Sequence, residues 1–125
     1  MAGYSGRPLI GKLGLKSGMK ARLIGAVYAP PAGVDRTAKA PFDFIHLFTK
    51  HRATLERQFP LLAGSLAPAG MLWVSWPKRA SGLDTDLTET AVREVGLRAG
   101  LVDVKVCAVD DVWSGLKFVI RLKNR

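Results

Sequence analysis

The chain has 125 residues, 48% of them apolar and 23% charged, with a single cysteine. That balance excludes a disordered chain, and a lone cysteine excludes an internal disulfide framework. Nineteen Lys and Arg against ten Asp and Glu leave a formal charge of +9, a field that draws anions and phosphate-bearing partners.

At this length one domain, residues 1–125, is expected, burying roughly two thirds of the surface of the unfolded chain. The opening "MAGYSGRPLIGKLG" lacks the apolar run of roughly 7–15 residues that a signal peptide needs. The apolar region 59–76 is interrupted by Pro60, Gly64, Ser65, Pro68 and Gly70, so it does not form a membrane span of about 20 residues. A cytoplasmic protein with no membrane partner is expected. Cys107, in the alternating run "VKVCAV", reads as a buried and inert thiol. The charge is uneven: residues 1–60 hold ten basic side chains, among them Lys12, Lys16, Lys20, Arg22, Arg36 and Lys39, against Asp35, Asp43 and Glu56.

In chain order, "PLIGKLGLKSG" predicts a short helix ended by Gly14 or Gly18. "KARLIGAV" then reads as a first strand, and "APPAGVDRTAKAP" as a loop. "FDFIHLF" predicts a second strand, with Thr49 as N-cap of the helix that follows. In that helix Leu55, Phe59, Leu62 and Leu66 fall on one stripe, and Pro60 predicts a kink or break. "GMLWVSW" reads as a third strand, apolar on both faces as parallel strands are. Asp86 and Glu89 resemble a capping box that opens a helix carrying Leu87, Ala91, Val92 and Val95 on one side. "VDVKVCAV", with Val102, Val104, Val106 and Ala108 on one face, and "LKFVIRL" predict an antiparallel pair joined through "DDVWSG". Strands alternating with helices point to an α/β fold: a three-layer Rossmann-like sheet of about five strands, mostly parallel, with the last antiparallel.

The segments "LGLKSGMKARLIGA", "FDFIHLF", "LAGSLAPAGMLWVSWPK" and "GLRAGLVDVKVCAVDDVWSGLKFVIRL" resemble the architectural elements of class I S-adenosylmethionine-dependent methyltransferases. The chain is also similar to the uncharacterised bacterial domain-of-unknown-function family 3052 in "GYSGRPL", "WPKRASG", "TDLTE" and "GLVDVKVCAVDDVWSGL". That resemblance implies the fold and brings no activity with it. Methyltransferases of this class hold their cofactor on a Gly-rich loop after the first strand. Here that position reads "GAVYAPPAG", where Val27 and Tyr28 add bulk and Pro30 and Pro31 supply no N–H donor. The interval from Ala29 to Pro41 is too short for a crossover helix, a second strand and a further crossover. The first strand is therefore expected at the sheet edge, guarded by Lys20 and Arg22 or serving as a homodimer seam near Arg22.

No Walker loop, Gly-x-Ser-x-Gly elbow or His-Glu-x-x-His occurs, and His46 and His51 have no metal-ligand companions nearby in the sequence. No catalytic residue, metal or cofactor is assigned, and His46 reads as a structural histidine. Ligands of open α/β sheets bind beyond the carboxyl ends of the parallel strands. The candidate ligand-binding residues there are Lys50, Ser75, Trp76, Lys78, Arg79, Ser81 and Trp113, and they favour an anionic ligand or a protein partner. Two alternatives stand beside this reading. One is a divergent methyltransferase with an altered cofactor site. The other is a weak nucleic-acid binder, including a helix-turn-helix in which residues 102–108 form the recognition helix.

Overall fold

A computed structural model of the protein describes residues 8–37 and 39–125; residues 3–7 of the "GYSGRPL" motif lie outside them. The elements run α1 (Leu9–Leu13), β1 (Ala21–Ile24), β2 (Phe42–Phe48), α2 (Arg52–Gly64), β3 (Leu66–Pro77), α3 (Glu89–Arg98), β4 (Leu101–Ala108) and β5 (Trp113–Ile120). They build one five-stranded sheet in the order β1-β2-β3-β5-β4. Strands β1, β2 and β3 are parallel, and β5 runs antiparallel to both β3 and β4. The expected α/β architecture is present, with β1 at the edge.

Alternation along β2 and β3 divides two cores. On one face Ile45, Leu47, Leu72, Val74 and Trp76 pack with Leu116 and Phe118 against Leu55, Phe59 and Leu62 of α2 and Val92 and Val95 of α3. On the other, Phe44 and Trp73 meet Ala21, Leu13 and Leu15. Here Trp73 Nε1 donates to the Leu13 carbonyl at 2.9 Å, which satisfies a buried polar atom and ties α1 down. Gly14, at φ 82°, ends α1 and returns its N–H to the Ile10 carbonyl.

Local details depart from the sequence reading. Pro60 neither breaks nor ends α2, which continues to Gly64; Pro60 is exposed, so the carbonyl it cannot bond faces water. Leu66 starts β3 instead of extending the helix, yet it stays in the same core. Thr49 is not the N-cap of α2: His51 is, without a side-chain bond. Asp86 does not cap its own helix either. Its Oδ1 accepts the Arg52 N–H at 2.7 Å, at the start of α2, while Thr88 caps α3 by accepting the Ala91 N–H. Glu89 instead pairs with Arg93 one turn along.

Residues 102–108 form a strand, as expected, which rules out the helix-turn-helix geometry. That strand is irregular, because the register shifts between Asp103 and Lys105. Val104 and Val106 are consequently about half exposed, at 53% and 49%, rather than part of a buried face. Cys107 is half-buried, and burial pushes its thiol pKa up. The edge of β1 is met by its own chain: Ala21 N–H donates to the Asp35 carbonyl and Asp35 N–H to the Met19 carbonyl, both at 2.9 Å. No described helix is long and apolar enough to cross a membrane.

Candidate functional site

The carboxyl end of β3 sets the position of the candidate loop. Pro77 is the last strand residue, and Lys78 N–H turns away to the Val112 carbonyl at 2.7 Å. Residues Arg79–Ser81 make one 3-10 turn, closed by Gly82 at φ 77°. Ser81 Oγ donates to the Lys78 carbonyl and accepts the Leu83 N–H, so this hydroxyl serves the turn. The chain then returns along Thr85, whose hydroxyl donates to the Lys50 carbonyl at 2.8 Å, to the start of α3.

Between these two walls lies an open groove of about 480 Å³. Trp76, almost fully buried, and Ser114, its partner across β3 and β5, lie on one side of it. Lys78 and Arg79 form one rim, and Thr85, Asp86, Thr88 and Glu89 form the other. The carboxylates of the second rim are engaged, Asp86 by the Arg52 N–H and Glu89 by Arg93. The cations of the first rim make no ion pair among the described residues. An anionic group entering beside the first rim meets two positive charges that no ion pair occupies, while Asp86, bonded to a neutral N–H, keeps its charge on the other rim.

Of the sequence-predicted residues, the groove brings together Trp76, Lys78 and Arg79, with Ser81 supporting the turn behind them. Lys50 is exposed at the neighbouring strand end but does not line the groove. Ser75 and Trp113 lie on the opposite face of the sheet, since neighbours along a strand alternate. Ser75 is fully buried, and Trp113 meets the Phe48 ring edge-on at 5.3 Å. Thr85, Asp86 and Thr88 also line the groove, and sequence reasoning does not place them there. Their signal is the polar "TDLTE" segment, in which Asp86 and Glu89 read as a capping box.

On that opposite face lies a hydrogen-bonded chain that the sequence did not reveal. Tyr28, from the loop after β1, bonds His46 Nδ1 through its hydroxyl at 2.8 Å, and His46 Nε2 bonds Ser75 Oγ at 2.8 Å. The Phe48 ring stacks on His46 at 4.2 Å, and Tyr28 meets Phe48 edge-on. Burial drives the His46 pKa down to about 3, so the ring is neutral at physiological pH, and burial raises the Tyr28 pKa. Neutral imidazole has one donor and one acceptor, and both hydroxyl partners can play either part. The chain is thus satisfied without charge. It pins the Tyr28 ring over the carboxyl ends of β1 and β2, where the loop turns at Gly25. Among the described residues no group of His, Cys, Asp and Glu has metal-ligating proximity.

No protein-family model and no curated protein matches the chain by sequence. Solved structures match its fold. A SAM-dependent methyltransferase from Aquifex aeolicus aligns with a TM-score of 0.64 at 14% identity, over 88% of this chain and 86% of that one. Magnesium protoporphyrin IX methyltransferase from Synechocystis PCC 6803 with bound SAH aligns at 0.54 and 12% identity, over 67% and 47%. LepI in complex with SAM aligns at 0.54 and 12% identity, over 90% and 39%. This chain spans about half the length of the protoporphyrin enzyme. The architecture is the Rossmann-like α/β fold of SAM-dependent methyltransferases, and at these identities the likeness is one of fold.

Proposed function

We propose that this chain is a non-catalytic, methyltransferase-like domain that binds an anionic ligand in the groove between the loop after β3 and the start of α3. The observation that carries the reading is the pair Lys78 and Arg79, left without ion-pair partners beside Trp76 while the carboxylates across the groove are engaged. The segments "WPKRASG" and "TDLTE" supply the two walls of the groove. The loop after β1 supports the loss of a cofactor site: Tyr28 lies across the strand ends, and Pro30 and Pro31 withhold donors from a ligand there.

Titration of tryptophan fluorescence with citrate and with pyrophosphate tests the groove. A saturable change in the wild type, lost in the Lys78→Ala, Arg79→Ala double variant, is expected; identical curves for the two proteins would sink the reading. Calorimetry with S-adenosylmethionine tests the other half, and no saturable heat is expected. A divergent methyltransferase is the second reading, favoured by neighbours of this fold that hold SAM or SAH. Saturable micromolar binding of S-adenosylmethionine would establish it in place of the first.

A further inference from the structure

At the amino ends of the parallel strands, opposite the groove just described, the fold gathers a second set of charges. Arg22 of β1, Arg36 just after the Asp35 bridge and Lys39 before β2 line one open groove of about 450 Å³, whose other lining residues are small or apolar. No carboxylate lines it. The four ion pairs of the described residues use only Arg52 and Arg93, both on the α2 and α3 side of the sheet. The two acids nearest this groove in sequence are engaged locally: Asp43 accepts the Lys20 N–H, and Asp35 accepts the Thr37 N–H and hydroxyl. Three cations thus share one groove that no carboxylate lines, while the nearby Asp35 and Asp43 keep their charge outside it.

We propose that this surface binds the phosphate backbone of duplex nucleic acid, independently of base sequence. Arg22, Arg36 and Lys39 are all exposed, the first on β1 and the other two on the loop that leads to β2. A site for one compact phosphate would converge buried donors on a point; here all three donors are solvent-exposed around an open groove, as contacts to the phosphates of a polymer allow. Among the other lining residues the alanines and the nearly buried Phe42 have no hydrogen-bonding group to read a base edge, and the Ser65 hydroxyl is donated to the Leu62 carbonyl. The strength of such binding follows counterion release. Three phosphate contacts give a slope of log K against log salt of about −2.7, at roughly −0.9 per contact.

The test is fluorescence anisotropy of a labelled random-sequence duplex of about 20 base pairs, titrated with the full chain at several salt concentrations. A slope near −3 is expected for the wild type, falling by about two contacts in the Arg22→Ala, Arg36→Ala variant and restored in Arg22→Lys, Arg36→Lys. The Arg57→Ala, Arg98→Ala variant removes the same charge from the helical side and should keep the wild-type slope. An unchanged slope in the first variant, an equal fall in the helical-side control, or saturable binding of inorganic phosphate without duplex binding would each overturn the proposal. The two grooves lie at opposite ends of the strands, so failure here leaves the anion groove at Lys78 untouched.

Discussion

His46 and Ser75 meet in the interior of the sheet, both fully buried, through a 2.8 Å hydrogen bond between Nε2 and Oγ on adjacent parallel strands. No solvent reaches either side chain, so each depends on the other for satisfaction. Ser75→Ala strands a ring nitrogen in an apolar site and should destabilise the protein by about 1–3 kcal/mol. Urea unfolding reads this directly, and an unchanged midpoint would mean that His46 finds another partner.

The same burial makes stability depend on pH. The folded state holds His46 neutral, with a pKa lowered to about 3, whereas the unfolded ring titrates near the ordinary value of about 6.5. The unfolded chain therefore binds the proton first as pH falls. The contribution is complete above about pH 6.5 and is lost towards pH 3, with a slope approaching 1.4 kcal/mol per pH unit. Denaturation at pH 7.0, 6.0 and 5.0 should show the decline, and His46→Gln should flatten it over that interval. A wild-type profile that is level from pH 6.5 to 5 would contradict the neutral, buried ring.

Two helical glycines should respond to alanine with opposite sign. A Cβ on Gly96 of α3 falls on the Phe118 ring in the core, whereas one on Gly64 at the end of α2 meets nothing within 4 Å. Gly96→Ala therefore overpacks and should cost about 1–3 kcal/mol despite its better helix propensity. Gly64→Ala should gain up to about 1 kcal/mol from that propensity alone. Thermal melts of the two variants check the pair; shifts of the same sign would refute the packing argument.

The two rims of the anion groove should separate function from stability. Lys78→Ala with Arg79→Ala removes one half-buried and one exposed cation, neither in an ion pair, and should change unfolding free energy by less than about 0.5 kcal/mol while abolishing anion binding. Asp86→Ala, across the groove, deletes the acceptor of the Arg52 N–H at the start of α2 and should cost about 0.5–2 kcal/mol, as loss of a helix cap does. Asp86→Asn retains an acceptor and should recover most of it. A double variant at Lys78 and Arg79 that melts as early as Asp86→Ala would make those cations structural.

Sheet, helices and strand directions were legible because each rests on local pattern: the apolar runs of β2 and β3, the stripe of Leu55, Phe59 and Leu62, and the short interval before Pro41. Capping was misread because it was settled over distance. Asp86 is 34 residues from the Arg52 N–H it accepts, and nothing local distinguishes that from a cap on its own helix. The exposure of Val104 followed from a bulge at Asp103 and Lys105, which alternation in sequence cannot display. The place of Lys78 and Arg79 is legible because a strand end beyond an apolar run is visible in the sequence. Ser75 and Trp113 were misjudged by one step of alternation, which sends their side chains to the far face. The chain of Tyr28, His46 and Ser75 draws on a loop and two strands, so only the folded arrangement assembles it.

The edge position of β1, closed by the short bridge to Asp35, also makes the architecture extensible. A relative that inserts a helix and a strand between Ile24 and Pro41 can lay the new strand outside β1, at the cost of two backbone bonds to Asp35 and with repacking only of Tyr28 and Val34 at the margin of the second core. Deleting such an insert reverses the step. The edge is thus a point where whole units can be gained or lost while the five-stranded sheet stays intact.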